Sequence, residues 1–149
     1  MSCILVPVDL SSGTDRIAGQ AATLAEALSA RMVLLHVAAP DPDFVGFDAG
    51  PDTVRSYMAE KFREEHRSVQ ELAEQFRERG IDCTALVVQG PTVETILKEA
   101  SKLEATLIAL GSHGHSAMAH LLLGSVSDGV IRGATVPVLV VPTRKEKRT

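Results

Sequence analysis

Five short apolar runs recur along the chain and hardly alternate with polar residues. They are CILVPV (3–8), MVLLHV (32–37), CTALVV (83–88), ATLIAL (105–110) and PVLVV (137–141). Strands that are buried on both faces have this pattern, which is typical of a parallel sheet covered by helices. The runs therefore predict five parallel strands, numbered 1 to 5 in chain order.

Amphipathic helical patterns lie between the predicted strands. Either Ser11 or Ser12 is positioned to cap the first helix, Gly80 is expected to end the second, and the fourth covers residues 125–132 and ends at Gly133. The apolar stripes expected to face the core are Ile17, Ala21, Leu24, Ala25 and Leu28 in the first helix, Val54, Met58, Phe62, Val69, Leu72, Ala73 and Phe76 in the second, and Val93, Ile96, Leu97 and Ala100 in the third. Alternation of strands and helices predicts an α/β, doubly wound parallel sheet with helices on both faces, as in Rossmann-like folds.

A chain of 149 residues is long enough for one well-filled domain and too short for two of usual size. We therefore expect one domain over residues 1–143, followed by a basic, flexible tail at 144–149. The Pro, Gly and Asp residues of the segment 38–52 predict a loop. That loop is expected either to cover a site or an interface, or to be a surface loop without such a role.

Composition excludes several classes of partner. The formal net charge is −4 and aromatic residues make up only 3% of the chain, whereas nucleic-acid binding needs clustered basic or aromatic side chains. No apolar stretch approaches the length of a membrane span, and the first ten residues lack the features of a signal peptide. We expect a cytoplasmic protein whose two cysteines, Cys3 and Cys83, are reduced and buried in their strands.

A stretch rich in glycine and serine, ALGSHGHSAMAHLLLGSVSDG, covers residues 109–129 and follows strand 4. In open doubly wound sheets, ligands bind beyond the carboxyl ends of the strands, where the strand order reverses. For the order 3-2-1-4-5 this crevice lies between strands 1 and 4. The glycine stretch and Asp9, which follows strand 1, are then expected to face each other.

The spacing of the glycines suits an anionic ligand. Gly111 and Gly114 have no Cβ, so their backbone N–H groups can approach phosphate oxygens and adopt positive φ. Gly124 and Ser125 open the fourth helix, whose free N–H groups point back into the crevice, and Ser127 adds a second hydroxyl. The alternative is a glycine-rich turn in which Ser125 is a plain N-cap.

Two other phosphate motifs are missing from the sequence. A P-loop needs Gly-Lys followed by Ser or Thr, and no lysine precedes Ser125. The dinucleotide fingerprint needs three closely spaced glycines after the first strand, where only Gly13 and Gly19 occur. P-loop and nicotinamide chemistry are therefore not expected.

Over essentially its whole length the chain resembles the universal stress proteins, in the branch with the nucleotide motif G-x2-G-x9-G-S/T. The motif corresponds to Gly111, Gly114, Gly124 and Ser125, and ILVPVD, LLHV and VPVLVVP support the likeness. This resemblance implies the strand order 3-2-1-4-5, binding of ATP, AMP or ADP, and homodimers. Any Mg²⁺ or Mn²⁺ would be carried by the nucleotide phosphates.

The resemblance also implies site residues. The adenine pocket corresponds to Pro7, Val8, Asp9 and Val37, and the ribose and phosphates to Leu110, Gly111, His113, Gly114, Gly124, Ser125, Val126 and Ser127. Two departures from the family pattern stand outside the phosphate loop. Thr106 occupies a position that is often Asp, and Gly129 is expected to weaken the fourth helix by up to about 1 kcal/mol relative to Ala.

The histidines do not form a familiar zinc pattern. His113, His115 and His120 are close in sequence, but no Cys or nearby carboxylate completes a ligand set. We therefore expect no dedicated metal site, with His113 and His115 either lining the crevice or facing solvent. His36, inside strand 2, is expected to be a hydrogen-bonded structural residue.

Catalysis is not expected to be the main activity. No acid, lysine or arginine occurs from 109 to 127 to stabilise charge during phosphoryl transfer. The sequence favours a nucleotide-binding regulatory protein with an unknown protein partner. The alternatives are a slow ATPase or adenylyl-transfer enzyme, or an interaction module with an empty crevice.

A homodimer is expected to form through strand 5, at Val138, Leu139, Val140 and Val141. This strand is an edge in the order 3-2-1-4-5 and carries no charge, which favours pairing with another chain. The alternative is a tail that folds over the edge.

Overall fold

The computed structural model of the protein describes residues 2–38, 51–113 and 123–143, and for residues 51–55 it describes the backbone alone. The strands are β1 (Cys3–Pro7), β2 (Arg31–Ala38), β3 (Cys83–Gln89), β4 (Leu107–Gly111) and β5 (Val138–Val141), and the helices are α1 (Thr14–Leu28), α2 (Pro51–Glu78), α3 (Thr92–Lys102) and α4 (Ser125–Gly133). Several positions considered above lie outside the described residues. They are Gly114, His115, His120, the side chain of Val54, most of the segment 38–52 and the tail 144–149.

All five strands are parallel, and their order is β3-β2-β1-β4-β5. The predicted fold class and strand order are confirmed. Strand β1 is central, and its register pairs Cys3 with Arg31 on one side and Ile4 with Leu107 on the other. Each predicted strand is found within two residues of its expected ends.

Alternate residues of the strands fill two separate cores, one on each face of the sheet. Ile4 and Val6 of β1 point to the face covered by α1 and α2, whereas Cys3 and Leu5 point to the face covered by α3 and α4. All four side chains are fully buried or nearly so. Period-two alternation with both faces covered explains why the strands read as continuous apolar runs.

Most of the predicted helix faces are confirmed. The buried or half-buried members include Ile17, Ala21, Leu24 and Ala25 of α1, Met58, Phe62, Val69, Leu72, Ala73 and Phe76 of α2, and Val93, Ile96, Leu97 and Ala100 of α3. Leu28 was expected to be inward, but 59% of it is exposed, because α1 ends at this residue. Gly80 has φ +86° and follows the end of α2, as its predicted role as a helix stop requires.

The predicted cap of α1 is wrong. The N-cap is Gly13, and no side chain caps the helix. The Ser11 carbonyl instead accepts a bond from the Thr14 N–H at 3.1 Å, while the Ser11 hydroxyl is engaged with Asp9. A tight turn after β1 therefore takes the serine away from the helix end.

Gly129 has a packing role that the sequence did not indicate. A Cβ added at Gly129 would lie 2.8 Å from Cγ2 of Val93, so the glycine permits close approach of α4 to α3. Gly133 stands in the same relation to Leu97, at 2.6 Å from Cδ1. These glycines lower the helix propensity of α4, but they allow α4 and α3 to pack more closely.

The cysteines are free and buried, as predicted. Strand β2 separates Cys3 on β1 from Cys83 on β3, and the two side chains belong to opposite cores. Burial raises the pKa of the Cys83 thiol from 9.0 to about 11, and burial likewise raises the pKa of Cys3. Both are unreactive core thiols at neutral pH.

No helix in the described parts of the chain combines the length and apolar character needed to cross a bilayer.

Candidate functional site

The crevice lies at the carboxyl end of the sheet, where β1 and β4 are neighbours. Their register pairs Leu5 with Ile108, and because the strands are parallel, the segments that follow them leave at the same edge. The predicted site residues that come together here are Pro7, Val8, Asp9, Val37, Leu110, Gly111, His113, Gly124, Ser125, Val126 and Ser127. Val8 and Leu110 are buried, with 5% and 3% of their surfaces exposed, so the side chains of these two belong to the cores.

His36 fixes the backbone beyond β1. Its Nδ1 lies 3.0 Å from the carbonyl oxygen of Val8, and its Nε2 contacts the Glu65 carboxylate on α2. The Val8 N–H in turn donates to the Leu35 carbonyl at 2.8 Å. The prediction of a hydrogen-bonded structural histidine is confirmed, and the ring also ties α2 to the edge of the crevice.

Asp9 is held by the residue two positions further on. One carboxylate oxygen, Oδ1, accepts bonds from the Ser11 N–H at 3.0 Å and from the Ser11 hydroxyl at 2.5 Å. Between them, Leu10 adopts φ +61°, a left-handed conformation that costs a non-glycine residue energy. Its half-buried side chain packs against the core beneath α1 and α2. The turn therefore fixes the direction of the Asp9 carboxylate.

Val37 lies just past the ladder between β1 and β2. The last backbone bond of that ladder joins the Val8 N–H to the Leu35 carbonyl. Alternate peptide groups of a strand point to opposite neighbours, so the N–H and C=O of Val37, like those of Leu35, point to the β1 side. The Val8 carbonyl, which a further rung would use, is instead bonded to the His36 ring. Val37 thus presents its peptide groups toward the crevice.

Two hydrogen bonds attach the start of α4 to the end of β4. The Gly124 N–H donates to the Ser112 carbonyl at 2.7 Å, and the Ser127 hydroxyl donates to the Gly111 carbonyl at 2.5 Å. Ser127 is buried, with 4% of its surface exposed. Its hydroxyl was expected to face an anion, but its single proton is engaged with the protein. Ser127 can contribute its backbone N–H to a ligand.

Gly111 does not adopt the positive φ that the sequence led us to expect. It is the last residue of β4, pairs with Val141, and is not among the described glycines with positive φ, which are Gly80 and Gly90. A Cβ at Gly111 would lie 2.7 Å from Cδ1 of Ile17 and 2.9 Å from Cγ2 of Thr143. Close packing at the strand end therefore explains this glycine.

The N-terminus of α4 opens at the crevice edge without a side-chain cap. Its N-cap is Gly124, with φ −71° and ψ 166°, and among the described residues no side chain forms a cap hydrogen bond here. Ser125 and Val126, the first two helical residues, are exposed. The first N–H groups of a helix have no intrahelical acceptors, and the helix dipole makes this end attractive to anions. Ser125 opens the helix, as predicted, but its hydroxyl does not cap it.

Sequence reasoning missed a hydrogen-bond cluster of Ser112, His113 and Thr143 beside the crevice. The Thr143 hydroxyl donates to the His113 carbonyl at 3.0 Å and accepts from the His113 N–H at 3.1 Å. The Thr143 N–H donates to the Ser112 hydroxyl, also at 3.1 Å. Thr143 is 31 positions from Ser112 and 30 from His113, and only the adjacency of β4 and β5 could have indicated the contact.

Within residues 2–38, 51–113 and 123–143, no three His, Cys, Asp or Glu side chains form a group that could hold a metal ion. The Ser112 hydroxyl contacts Nδ1 of His113 at 3.0 Å, which fixes the ring of that histidine next to the crevice. The arrangement offers backbone N–H groups and hydroxyls, which suit an anion.

Comparison with known sequences identifies a family. The family model described as the universal stress protein family matches residues 1–142. A universal stress protein of Thermus aquaticus is 33% identical over 140 residues, which cover 93% of this chain and 96% of the relative.

Solved structures share the same fold. The structure of the protein MJ0577 has a TM-score of 0.80 and 25% identity, and the match covers 98% of each chain. A universal stress protein in complex with cAMP has a TM-score of 0.65 and 24% identity, covering 96% of this chain and 98% of that one. The protein from Archaeoglobus fulgidus in complex with dAMP has a TM-score of 0.63 and 20% identity, with 94% and 97% covered. Some proteins of this fold thus bind adenine nucleotides.

Proposed function

The chain belongs to the universal stress protein family, and we propose that it binds ATP, or AMP or ADP in its place, in the crevice between β1 and β4. The nucleotide acts as a regulatory ligand. The observation that carries the proposal is the uncapped N-terminus of α4 at the end of β4. The complexes of similarly folded proteins with cAMP and dAMP support an adenine nucleotide as the ligand.

The phosphate side of the crevice comprises residues 111–113 and 124–127. The N–H groups of Ser125, Val126 and Ser127 supply hydrogen bonds that strengthen when the acceptor is charged. Gly114 is predicted to add a further N–H but lies outside the described residues. Backbone groups and a helix dipole fit a polyphosphate, and a Mg²⁺ or Mn²⁺ ion would bind through the phosphates rather than through a protein site.

The nucleoside side comprises residues 7–9 and Val37. The outward peptide group of Val37 offers one donor and one acceptor to the edge of adenine. Asp9, whose carboxylate is oriented by Ser11, is proposed to contact the adenosine. Both features fit a nucleoside that enters at the end of β1.

Charged groups that would stabilise phosphoryl transfer are missing from the sequence between 109 and 127. Asp128 lies just beyond, but it pairs with Arg132 at 2.9 Å on the exposed face of α4. Since the segment 109–127 offers no cationic side chain, it gives little support to charge that develops during phosphoryl transfer. We therefore propose a binding protein that hydrolyses ATP slowly or not at all.

The test removes one backbone donor and leaves the helix intact. Proline is favoured at the first helical position, and Gly124 already has the extended conformation that a following proline requires. Ser125→Pro should weaken ATP binding about tenfold or more, because one hydrogen bond to a charged group is lost. Calorimetry should show unchanged adenosine binding.

Ser125→Ala is the matched control, since it removes the hydroxyl and keeps the N–H. It should weaken ATP binding clearly less than Ser125→Pro does, because it keeps the backbone N–H that the proposal assigns to the phosphates. Equal ATP affinity in wild type and Ser125→Pro would reject this placement of the phosphates. Absence of ATP binding by the wild type would reject the proposed function itself.

Strand β5 is the proposed dimer interface. It is an edge strand, formed by Val138, Leu139, Val140 and Val141. The carbonyls of Pro137 and Val141 accept bonds from β4, so the N–H of Val140 points to the open side. Val140→Pro removes that donor and spares the β4 ladder. We expect a dimeric mass for wild type and a monomeric mass for the variant by light scattering; a monomeric wild type would refute the interface.

A further inference from the structure

Thr143, which follows the edge strand β5, forms several hydrogen bonds with the segment after β4. Its hydroxyl both donates to the carbonyl and accepts from the N–H of His113, at 3.0 and 3.1 Å. Its own N–H donates to the hydroxyl of Ser112, which has 8% of its surface exposed. A half-buried threonine thus holds both peptide groups of one residue beside the crevice.

The methyl group of Thr143 fills space left by two glycines. A Cβ on Gly111 would lie 2.9 Å from this methyl carbon, and a Cβ on Gly13 would lie 3.0 Å from it. Gly13 belongs to the turn before α1, and Gly111 ends β4. The methyl therefore packs between these two segments, while the hydroxyl bonds a third.

The same network reaches the N-terminus of α4. The Ser112 carbonyl accepts the N–H of Gly124 at 2.7 Å, and its hydroxyl accepts the N–H of Thr143. Ser112 therefore joins the end of β5 to the N-cap of the helix. Displacement of Ser112 would move the first N–H groups of α4 relative to β1.

We infer that Thr143 is a positioning residue for the phosphate side, and that it couples the end of β5 to phosphate binding. This inference rests on the proposed function. The hydroxyl of Thr143 holds the backbone of His113. The backbone N–H of Thr143 bonds the Ser112 hydroxyl, and the Ser112 carbonyl sets the place of the α4 N-terminus. Among the described interactions the Thr143 hydroxyl makes no bond to the nucleoside side, so we expect the affinity for adenosine to be independent of this hydroxyl.

Two substitutions separate the hydroxyl from the methyl. Thr143→Val keeps the shape and removes the hydroxyl, whereas Thr143→Ser keeps the hydroxyl and removes the methyl. By calorimetry, Thr143→Val should weaken ATP binding about tenfold and change adenosine binding less than twofold, as expected when a half-buried hydrogen-bond partner is lost. Thr143→Ser should retain ATP affinity within about threefold.

Thr106→Val is the matched control. The Thr106 hydroxyl donates to the Cys3 carbonyl at 3.1 Å, at the opposite end of the sheet. The substitution removes the same chemical group from the start of β4. It should leave the affinities for ATP and adenosine unchanged, even if it lowers overall stability.

A second measurement requires no nucleotide. Hydrogen exchange of the His113 amide in ligand-free protein should be about tenfold faster in Thr143→Val than in wild type, and unchanged in Thr106→Val, because Thr143 is the acceptor of that N–H. Should Thr143→Val fail to fold, Ser112→Ala removes the acceptor of the Thr143 N–H and is expected to weaken ATP but not adenosine.

The outcomes separate the two proposals. Wild-type protein that does not bind ATP overturns the proposed function, and the positioning role with it, even when exchange at His113 accelerates as expected. Two results would overturn the positioning role alone, provided that the wild type binds ATP. One is an unchanged ATP affinity in Thr143→Val, and the other is an equal loss of affinity for ATP and adenosine in that variant.

Discussion

On the nucleoside side of the crevice ionisable side chains hold the backbone, whereas on the phosphate side neutral hydroxyls do so. His36 contacts the Val8 carbonyl and the Glu65 carboxylate, and Ser11 anchors the Asp9 carboxylate. Across the crevice, Ser127 and Thr143 bond backbone carbonyls through their hydroxyls. The first arrangement links the site to α2 and the second links it to β5.

The hydrogen-bonding roles of the two ring nitrogens of His36 add to this difference. A carbonyl oxygen can only accept, so Nδ1 of His36 must carry a proton to bond Val8. Nε2 then either donates to an ionised Glu65 or accepts from a protonated one. In both cases ring and carboxyl share a proton, and loss of one partner leaves the other poorly satisfied. The hydroxyls opposite carry no charge.

The largest effect on this contrast is expected from His36→Ala. It leaves both the Val8 carbonyl and Glu65 without their partner, which should lower the free energy of unfolding by about 3 kcal/mol. Adenosine and ATP binding should fall by the same factor, because the nucleoside is common to both. Denaturant unfolding and calorimetry measure the two quantities.

His66→Ala is the control for this prediction. His66 lies on the exposed face of α2, next to Glu65 in sequence, and its only described bond is a long one to Gln70 at 3.4 Å. Its stability should stay within about 0.5 kcal/mol of wild type, as for most surface changes. A similarly small effect for His36→Ala would show that the ionisable pair does not support the nucleoside side.

A smaller effect, which distinguishes ATP from adenosine, is expected from Ser127→Ala. Loss of the bond to the Gly111 carbonyl should cost about 1 kcal/mol of stability. Because the start of α4 is then held less firmly against β4, ATP binding should weaken several-fold, while adenosine binding stays constant. Equal losses for the two ligands in calorimetry would mean that the two sides of the crevice do not act separately.

The smallest effect is expected from Ser11→Ala, which removes the hydroxyl from Asp9 but keeps the backbone N–H bond at 3.0 Å. Adenosine affinity should fall about two- to threefold, because Asp9 keeps one of its two bonds to this residue. Ser12→Ala, at the exposed neighbouring position, should have no effect. A drop for ATP alone in Ser11→Ala would place Asp9 on the phosphate side.

The arrangement of the sheet could be predicted because hydrophobic burial decides it. A continuous apolar run such as 3–8 is fully buried only between two covered faces, and the resemblance to the family supplied the strand order. The crevice residues follow from the same reasoning, since parallel strands end at one edge. These parts of the prediction depend on periodicity and position, which a single sequence contains.

Side-chain pairings between distant elements could not be predicted. His36 and Glu65 are 29 positions apart, and nothing local in either segment indicates the other. Gly111 was assigned to phosphate approach with a positive φ, which it does not have, and its missing Cβ also makes room for Ile17 and Thr143. A glycine fits both explanations, and only the neighbouring elements decide between them.

The contact between Thr143 and Gly13 has a consequence for the order in which the protein can be completed during synthesis. The central strand β1 needs β4, which follows about a hundred residues later, and the turn after β1 meets Thr143 only when β5 is in place. Contacts so distant in sequence form late and slow folding. A nascent chain that has emerged only as far as β3 therefore still exposes the β4 edge of its central strand, a surface on which chaperones and other nascent chains can act.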